Sequence, residues 1–234
     1  MPGIARTRQI SQAIAMLDAV LCPDASSRCY SFDAEWAPDE ALASMHNGSG
    51  EEYSIVFSPA GACARGFDHE SLMSPYRVSP LELWPGLVET VPASLRSVVE
   101  EPAFSEDGGI LLATVVLWRE AHDPGWSCGD VQMPPDEPDQ FGDGADDLFA
   151  LLSDGRPEAY QEYAQEYFGQ EVDLWAVRKC YDLRPLTRAV VTVLNPELDL
   201  ADLEPDRRQI GYPAPDPEEL PPTSRRSLWG WPLL

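Results

Sequence analysis

The stretch Ile110–Trp118, ILLATVVLW, constrains the fold of this chain more than any other feature. It is the most apolar run in the sequence, and its nine residues are mostly Leu, Val and Ile. β-branched residues favour extended backbone, and a strand that is apolar at successive positions is typical of one covered on both faces. The sequence therefore predicts a single central strand over this run, buried on both sides.

Other strand signals come earlier in the chain. Tyr53–Ser58 and Ala62–Phe67 are two apolar runs joined by Pro59-Ala60-Gly61, which is a typical turn composition. They predict an antiparallel hairpin. The segment 28–36 is strand-like, and MHNGSGEE over 45–52 predicts a turn because its Asn-Gly and Ser-Gly pairs tolerate positive φ.

Helical periodicity marks several further segments. Near the N-terminus it predicts an amphipathic helix over 9–21, ended by Cys22-Pro23. A short helix is predicted from Pro92 to Glu100, where Pro suits the first turn. In the second half, Tyr160, Tyr163, Ala164, Tyr167 and Phe168 share one helix face, and helices are also predicted over 172–181 and 186–194.

The order of these elements predicts an α+β fold. An antiparallel sheet from the N-terminal half is expected to pack with helices mainly from the C-terminal half. Residues 1–212 are predicted to form a single globular domain. From Pro213 the chain is rich in Pro and charge, so residues 213–234 are predicted to be a flexible tail that ends in SLWGWPLL.

Charge limits the classes of partner. Sixteen basic residues against 40 acidic ones give a net charge of −24, while 44% of the residues are hydrophobic. A surface this negative repels phosphate backbones and anionic lipid headgroups, so neither a nucleic acid nor a membrane is an expected partner. A basic protein is the expected partner, and the alternative is that acidity only keeps the protein soluble.

The cysteines and the N-terminus point to an intracellular protein. The five cysteines are odd in number and irregularly spaced, and no C-x-x-C occurs, so we expect reduced thiols and no zinc ribbon. Polar residues interrupt the N-terminal apolar stretch, which therefore fails as a signal peptide. No run approaches the roughly 20 apolar residues of a membrane span. The predicted location is the cytoplasm.

The best candidate for chemistry is the triplet Asp68-His69-Glu70, directly after a predicted strand. A carboxylate can orient an imidazole and raise its pKa, as a general base or a metal site requires. His46, in the neighbouring predicted turn, could approach this triplet. No further ligand pair occurs at helical spacing, so no metal site and no cofactor are predicted. The alternative is that the histidine only caps a turn at the end of the strand.

The acidic stretch 120–154 is the candidate docking surface. It holds ten acidic residues and no Lys or Arg, and prolines punctuate its middle. Asp136, Glu137, Asp139 and Asp143 are predicted to form a docking edge for a basic protein. Asp143, Asp146 and Asp147 lack the alternating ligands of an EF-hand, so an N-terminal helix cap is favoured over calcium binding.

Parts of the sequence resemble known bacterial proteins. MHNGSGEEYSIVFSPAGACARGFDHESLMSP, over 45–75, and WPGLVETVPASLRSVVEEPAF, over 84–104, resemble a pattern in uncharacterised bacterial proteins. Val91-Pro92 before a short apolar helix loosely resembles the SMI1/KNR4 superfamily, whose bacterial members include immunity proteins against toxins. The resemblance implies a binding protein and no catalytic residue.

Three functions follow as hypotheses. The leading one is a non-enzymatic, acidic protein-binding module, most specifically a bacterial immunity-type protein that neutralises a basic toxin. The second is a hydrolase or metal-dependent enzyme that uses His69 with its neighbouring carboxylates. The third is a structural or regulatory bacterial protein. The oligomeric state stays open.

Overall fold

The sheet is built by an antiparallel meander. The computed structural model describes residues 1–106, 108–134 and 142–214. The strands within these ranges are β1 (Tyr30–Ala37), β2 (Glu40–His46), β3 (Glu52–Ser58), β4 (Gly61–Phe67), β5 (Ser105–Glu106), β6 (Ile110–Leu111), β7 (Val115–Glu120) and β8 (Ser127–Cys128). Six strands form one antiparallel sheet in the order β1-β2-β3-β4-β7-β8, while β5 and β6 pair with each other apart from it.

Most helices follow the sheet in sequence. They are α1 (Ile4–Leu21), α2 (Arg96–Val99), α3 (Ala145–Leu148), α4 (Ala150–Asp154), α5 (Pro157–Phe168), α6 (Leu174–Tyr181), α7 (Arg188–Leu194) and α8 (Glu204–Ile210). The strands come from the N-terminal half and the helices mainly from the C-terminal half, so the predicted α+β class is confirmed.

The predicted hairpin over 53–67 is confirmed as β3 and β4. Ser58 pairs with Gly61 next to the turn, and the ladder runs back to the pair Glu52–Phe67. Gly61 has φ +148°, and a Cβ there would lie 2.2 Å from the Arg119 carbonyl oxygen, so only glycine fits. The predicted turn over 45–52 is narrower than expected, because β2 continues to His46.

The prediction of one strand over Ile110–Trp118 is wrong. The run is divided between β6, which pairs only with β5, and β7, which joins the main sheet. Thr114 stands at the break, fully buried. Its N–H donates to the Gly66 carbonyl oxygen at 2.8 Å and its Oγ1 to the Asp143 carbonyl oxygen at 2.7 Å. These bonds hold the chain where it leaves β6 and enters the main sheet as β7, in the middle of an apolar run.

A separate core covers each face of the sheet. Alternate residues of the central strands, such as Ile55 and Ala64, pack with α1 and the C-terminal helices. The intervening residues Val56 and Cys63 face a second core, formed with residues of the irregular segment between β4 and β7. The sheet is therefore the middle of three layers.

Helix α1 is longer and more deeply buried than its sequence pattern indicated. It begins at Ile4 rather than near residue 9, and ends at Leu21 before Pro23 as predicted. Its polar residue Asp18 is fully buried. The Asp18 carboxylate accepts hydrogen bonds from the backbone N–H groups of Cys29 and Tyr30 at 3.1 and 2.9 Å, and from the Tyr160 hydroxyl at 2.8 Å. This side chain ties α1 to the start of β1 and to α5.

The other segments predicted to be helical are helices in the structure, but their first and last residues differ from the prediction. α5 carries the predicted tyrosine stripe and ends at Gly169, which adopts the left-handed conformation. Tyr160 is fully buried, whereas Tyr167 remains 44% exposed. α2 is only four residues long, and α8 had no sequence prediction.

All five cysteines are free thiols in the structure. None of the helices in the described ranges combines the length and the apolar composition that a bilayer span requires. The predicted tail, including SLWGWPLL, lies outside the described residues apart from its first two positions. The predicted limits of the globular domain stay predictions.

Candidate functional site

The turn between β2 and β3 fixes one carboxylate of the candidate site. The Asn47 Oδ1 accepts hydrogen bonds from the backbone N–H groups of Ser49 and Glu51 at 2.8 and 3.3 Å. The Asn47 amide nitrogen in turn donates to the Glu51 Oε2 at 2.5 Å. Positive φ angles at Gly48 and Gly50 allow this tight path. The carboxylate of Glu51 is thus held in place before any partner binds.

The register of the hairpin brings Asp68 and His69 to this turn. Glu52 pairs with Phe67, so the next residues outward, Glu51 and Asp68, emerge side by side. The His69 Nδ1 lies 2.5 Å from the Glu51 Oε1. The imidazole packs over Gly50, where a Cβ would lie 2.8 Å from Nδ1. A larger residue at position 50 would therefore displace the histidine.

A third segment, 142–148, closes the other side of the site. The hydroxyl of Ser71 donates to the Gly142 carbonyl oxygen at 2.6 Å, which anchors the start of this segment. Gly144, at φ +78°, lies so close to Asp68 that a Cβ would approach its Cβ to 2.6 Å. The hydroxyl of Thr114 accepts a hydrogen bond from the Asp68 N–H at 3.2 Å. Asp68 is therefore held between Thr114 and the segment 142–148.

These segments surround an open depression of about 440 Å³. Four carboxylates and one imidazole contribute to its wall, together with two small polar residues of the β2–β3 turn. The lining residues are Asn47, Ser49, Glu51, Asp68, His69, Glu70 and Asp147. Since no Lys or Arg is among them, the depression is acidic and suits a cationic ligand.

The members of the predicted triplet have different positions. Asp68 is 7% exposed, and its Oδ1 accepts a hydrogen bond from the Glu70 N–H at 2.9 Å. The side chain of His69 is 47% exposed and points to Glu51 rather than to either of its sequence neighbours. Glu70 is exposed at the rim. The carboxylate partner of the histidine is thus one that the sequence reasoning missed.

His46 does not join this group. It lies at the end of β2, where its N–H donates to the Cys29 carbonyl oxygen at 2.9 Å. It lines a different depression, together with Arg28 and Cys29. The two histidines therefore belong to separate surfaces.

The predicted docking loop is only partly visible. Asp136, Glu137 and Asp139 lie outside the described residues. Asp143 is described, and its Oδ1 accepts a hydrogen bond from the Ala145 N–H at 3.0 Å, at the start of α3. The N-cap of α3 is Gly144, so Asp143 lies one residue before the cap rather than in the predicted N-cap position. The first turn of α3 carries Asp146 and Asp147, both exposed, and Asp147 also lines the acidic depression.

A larger depression lies at the β1–β2 turn. Its volume is about 880 Å³, and its wall includes Arg8, Trp36 and Asp39. Its walls carry no histidine or cysteine. The smaller acidic depression is the better candidate because oriented polar groups converge on it.

No protein-family model, no curated protein and no solved structure matches this chain. The functional interpretation therefore rests on the geometry of the site and on the charge of the chain.

Proposed function

We propose that this protein is a non-enzymatic protein-binding module that docks a basic protein on its acidic surface. In its most specific form the proposal is a bacterial immunity-type protein that neutralises a basic toxin. The observation that carries it is a group of four acids, here called the acidic edge: Glu70, Asp143, Asp146 and Asp147. Glu70 and Asp147 line a depression without a basic residue, and the other two lie beside Asp147 at the start of α3.

The described residues supply no basic partner for the acidic edge. Among the described residues, no ion pair joins a Lys or Arg to any of its four carboxylates. Several arginines are engaged elsewhere: Arg28 pairs with Asp206 at 2.5 Å, and Arg207 pairs with Glu204 at 2.7 Å. Arg96 donates to three backbone carbonyl oxygens. The negative charge of the edge is therefore left for an external cation.

Charge of this kind acts mainly on the rate of encounter. A field from clustered carboxylates steers a basic protein towards the edge and raises the association rate constant. The same field repels nucleic acids and anionic membranes, which supports a protein partner. A carboxylate-rich face can also imitate the anionic substrate of a basic enzyme, as neutralisation of a nuclease toxin would require.

The test begins with capture of a partner on the immobilised protein, followed by measurement of association rates at low and high salt. The edge variant carries Glu70→Gln, Asp143→Asn, Asp146→Asn and Asp147→Asn. We expect it to associate about tenfold more slowly at low salt, with most of the difference lost at high salt because exposed charges are screened.

The matched control neutralises the same number of exposed acids on another surface. It carries Glu162→Gln, Glu166→Gln, Glu171→Gln and Asp182→Asn, all exposed in or beside α5 and α6. A separate variant with Asp136→Asn, Glu137→Gln and Asp139→Asn tests the predicted loop. Equal association rates for the edge variant and the control variant at low salt would contradict the assignment of the edge as the docking surface.

One observation favours a second function, a hydrolase. The contact between His69 Nδ1 and Glu51 Oε1 is the arrangement that orients an imidazole so that its Nε2 can accept a proton. Ser49 lines the same depression and offers a hydroxyl. The measurement is turnover of a panel of ester and phosphoester substrates. A rate abolished by His69→Ala at unchanged melting temperature supports the enzyme, and no turnover by the wild-type protein counts against it.

A further inference from the structure

Three potential metal ligands from two separate turns meet in the acidic depression. Glu51, Asp68 and His69 each offer one ligand atom, and these atoms all lie within 4.8 Å of one another. A divalent cation bound about 2.1 Å from nitrogen and oxygen ligands holds them at most about 4.2 Å apart, so a small closure of the side chains completes the coordination. The convergence results from the β3–β4 register, so the pleated hairpin itself sets the spacing.

The three side chains are positioned independently of any cation. Glu51 is held through the Asn47 amide at 2.5 Å. His69 packs against Gly50, and Asp68 is enclosed by Gly144. Preorganised ligands lose little conformational entropy on binding, which favours a site over a chance cluster.

Asp68 has one carboxylate oxygen available to a ligand. Asp68 is only 7% exposed, and it lines the depression. Its Oδ1 accepts the Glu70 N–H at 2.9 Å, whereas its Oδ2 takes no hydrogen bond from any residue in the described ranges. Oδ2 is not among the buried unpaired atoms of the described residues, so it faces the depression and is accessible to a bound cation.

We propose that Glu51, Asp68 and His69 form a binding site for a divalent transition-metal cation such as Zn²⁺. The cation replaces the direct contact between His69 Nδ1 and Glu51 Oε1, and water fills the remaining coordination positions. One imidazole nitrogen with two carboxylates suits zinc and related metals, whereas calcium and magnesium prefer oxygen ligands alone. The proposal stands independently of the basic partner.

The test is a titration of the full-length protein with Zn²⁺, followed by calorimetry, and with Co²⁺, followed by absorbance. We expect one bound equivalent of Zn²⁺. We also expect a Co²⁺ spectrum without the intense near-ultraviolet thiolate band, because no cysteine lines the depression. A thiolate band would overturn the proposal, since it would place the cation on the cysteines.

Two variants probe the ligands and two serve as matched controls. His69→Ala and Glu51→Gln should each weaken Zn²⁺ binding at least about tenfold. Glu70→Gln removes a carboxylate from the same rim, and His46→Ala removes a histidine from the neighbouring depression. Both controls should keep the wild-type affinity within about twofold, in line with a local ligand set rather than diffuse attraction.

The results separate a defined site from non-specific attraction. Unchanged affinity in His69→Ala and Glu51→Gln, or an equal loss in Glu70→Gln, overturns the proposal. Melting temperatures of all four variants verify that they are folded, and the exposure of His69 makes its replacement structurally mild. Because no protein partner is used, this result is independent of the docking experiment.

Discussion

Asp18 shows how one residue can tie the helical layer to the sheet at an electrostatic cost. Its carboxylate has no exposure to solvent, and burial raises its pKa from 3.8 to about 6 in spite of three hydrogen bonds to it. Removal from water disfavours the charged form more than those donors stabilise it. In the sequence, Asp18 is one of the polar residues that interrupt the N-terminal apolar stretch. Its burial could not be predicted, because it depends on partners far away in the chain.

Asp18 should therefore make stability depend on pH. Because its pKa is higher in the folded protein than in the unfolded chain, its stabilising contribution is complete below about pH 4. That contribution is lost as the pH rises through about 6. The shift of about two units corresponds to roughly 3 kcal/mol.

The check is urea unfolding of the wild-type protein and the Asp18→Asn variant between pH 4 and pH 7. The difference between their free energies of unfolding should change by about 3 kcal/mol over this range, in favour of the variant as the pH rises. The comparison cancels the titration of the other acids, which both proteins share. Parallel pH profiles would show that the folded protein does not perturb Asp18.

The cysteines should differ widely in reactivity. Cys128 is exposed, whereas Cys63 and Cys180 are completely buried, and burial raises the pKa of each of these two thiols from 9.0 to about 12. Only the thiolate reacts with disulfide reagents. We therefore expect Cys128 to react first in the native protein and all five thiols to react after denaturation without reductant. Three or fewer would reveal a disulfide or a bound metal, and rapid labelling of Cys63 would contradict the buried position.

At the scale of elements, local signals were enough for the β3–β4 hairpin but not for its neighbours. The hairpin combines two apolar runs with a turn that requires glycine at position 61. β2, with the sequence EALASMH, has weak strand propensity and forms because β1 and β3 pair on both sides of it. The division of the run at 110–118 depends on hydrogen bonds of Thr114 to distant segments, which no local pattern contains.

More of the candidate site could have been predicted from the sequence. Pairing counted from the turn at Ser58 and Gly61 places Glu51 beside Asp68, so the partner of His69 was implied by the hairpin. The approach of the segment at Gly144 could not be inferred, because it reaches the site only through tertiary packing. Glycine is frequent in loops for many reasons, and the sequence does not distinguish close approach from flexibility.

Gly144 tests that close approach. Gly144→Ala introduces a Cβ about 2.6 Å from that of Asp68 at a φ of +78°, so both steric overlap and backbone strain should result. Gly169→Ala is the matched control, because Gly169 has φ +64° and open space around it. We expect the control to lose about 1 kcal/mol of unfolding free energy and Gly144→Ala to lose about 1–3 kcal/mol more.

Urea denaturation of both glycine variants gives the comparison. Because both positions have left-handed backbone, the difference between the two losses isolates the steric contact with Asp68. Equal losses would mean that the segment at 142–148 does not approach Asp68 as closely as described.

At the scale of the whole molecule, the sequence alone gives the net charge, and the fold determines where the charged groups lie. Composition alone gives the net charge of −24, but it does not say which acids are neutralised. Arginines pair with Glu52 and Glu204, whereas no Lys or Arg in the described ranges pairs with the acidic edge. The folded structure is thus needed to separate acids that stabilise the fold from acids that repel one another.

Uncompensated charge should make the protein more stable in salt. The folded chain holds its excess carboxylates closer together than the unfolded chain does, so their mutual repulsion favours unfolding. Sodium chloride shortens the Debye length from about 30 Å at 0.01 M to about 8 Å at 0.15 M, which weakens that repulsion. The melting temperature should therefore rise over this range.

The same rise with potassium chloride, in the presence of EDTA, would identify screening rather than a specific sodium ion or a divalent metal. The variant with neutralised acidic edge should show a smaller rise because it carries four fewer repelling charges. A melting temperature that is unchanged or falls with salt would contradict this account of the charge distribution.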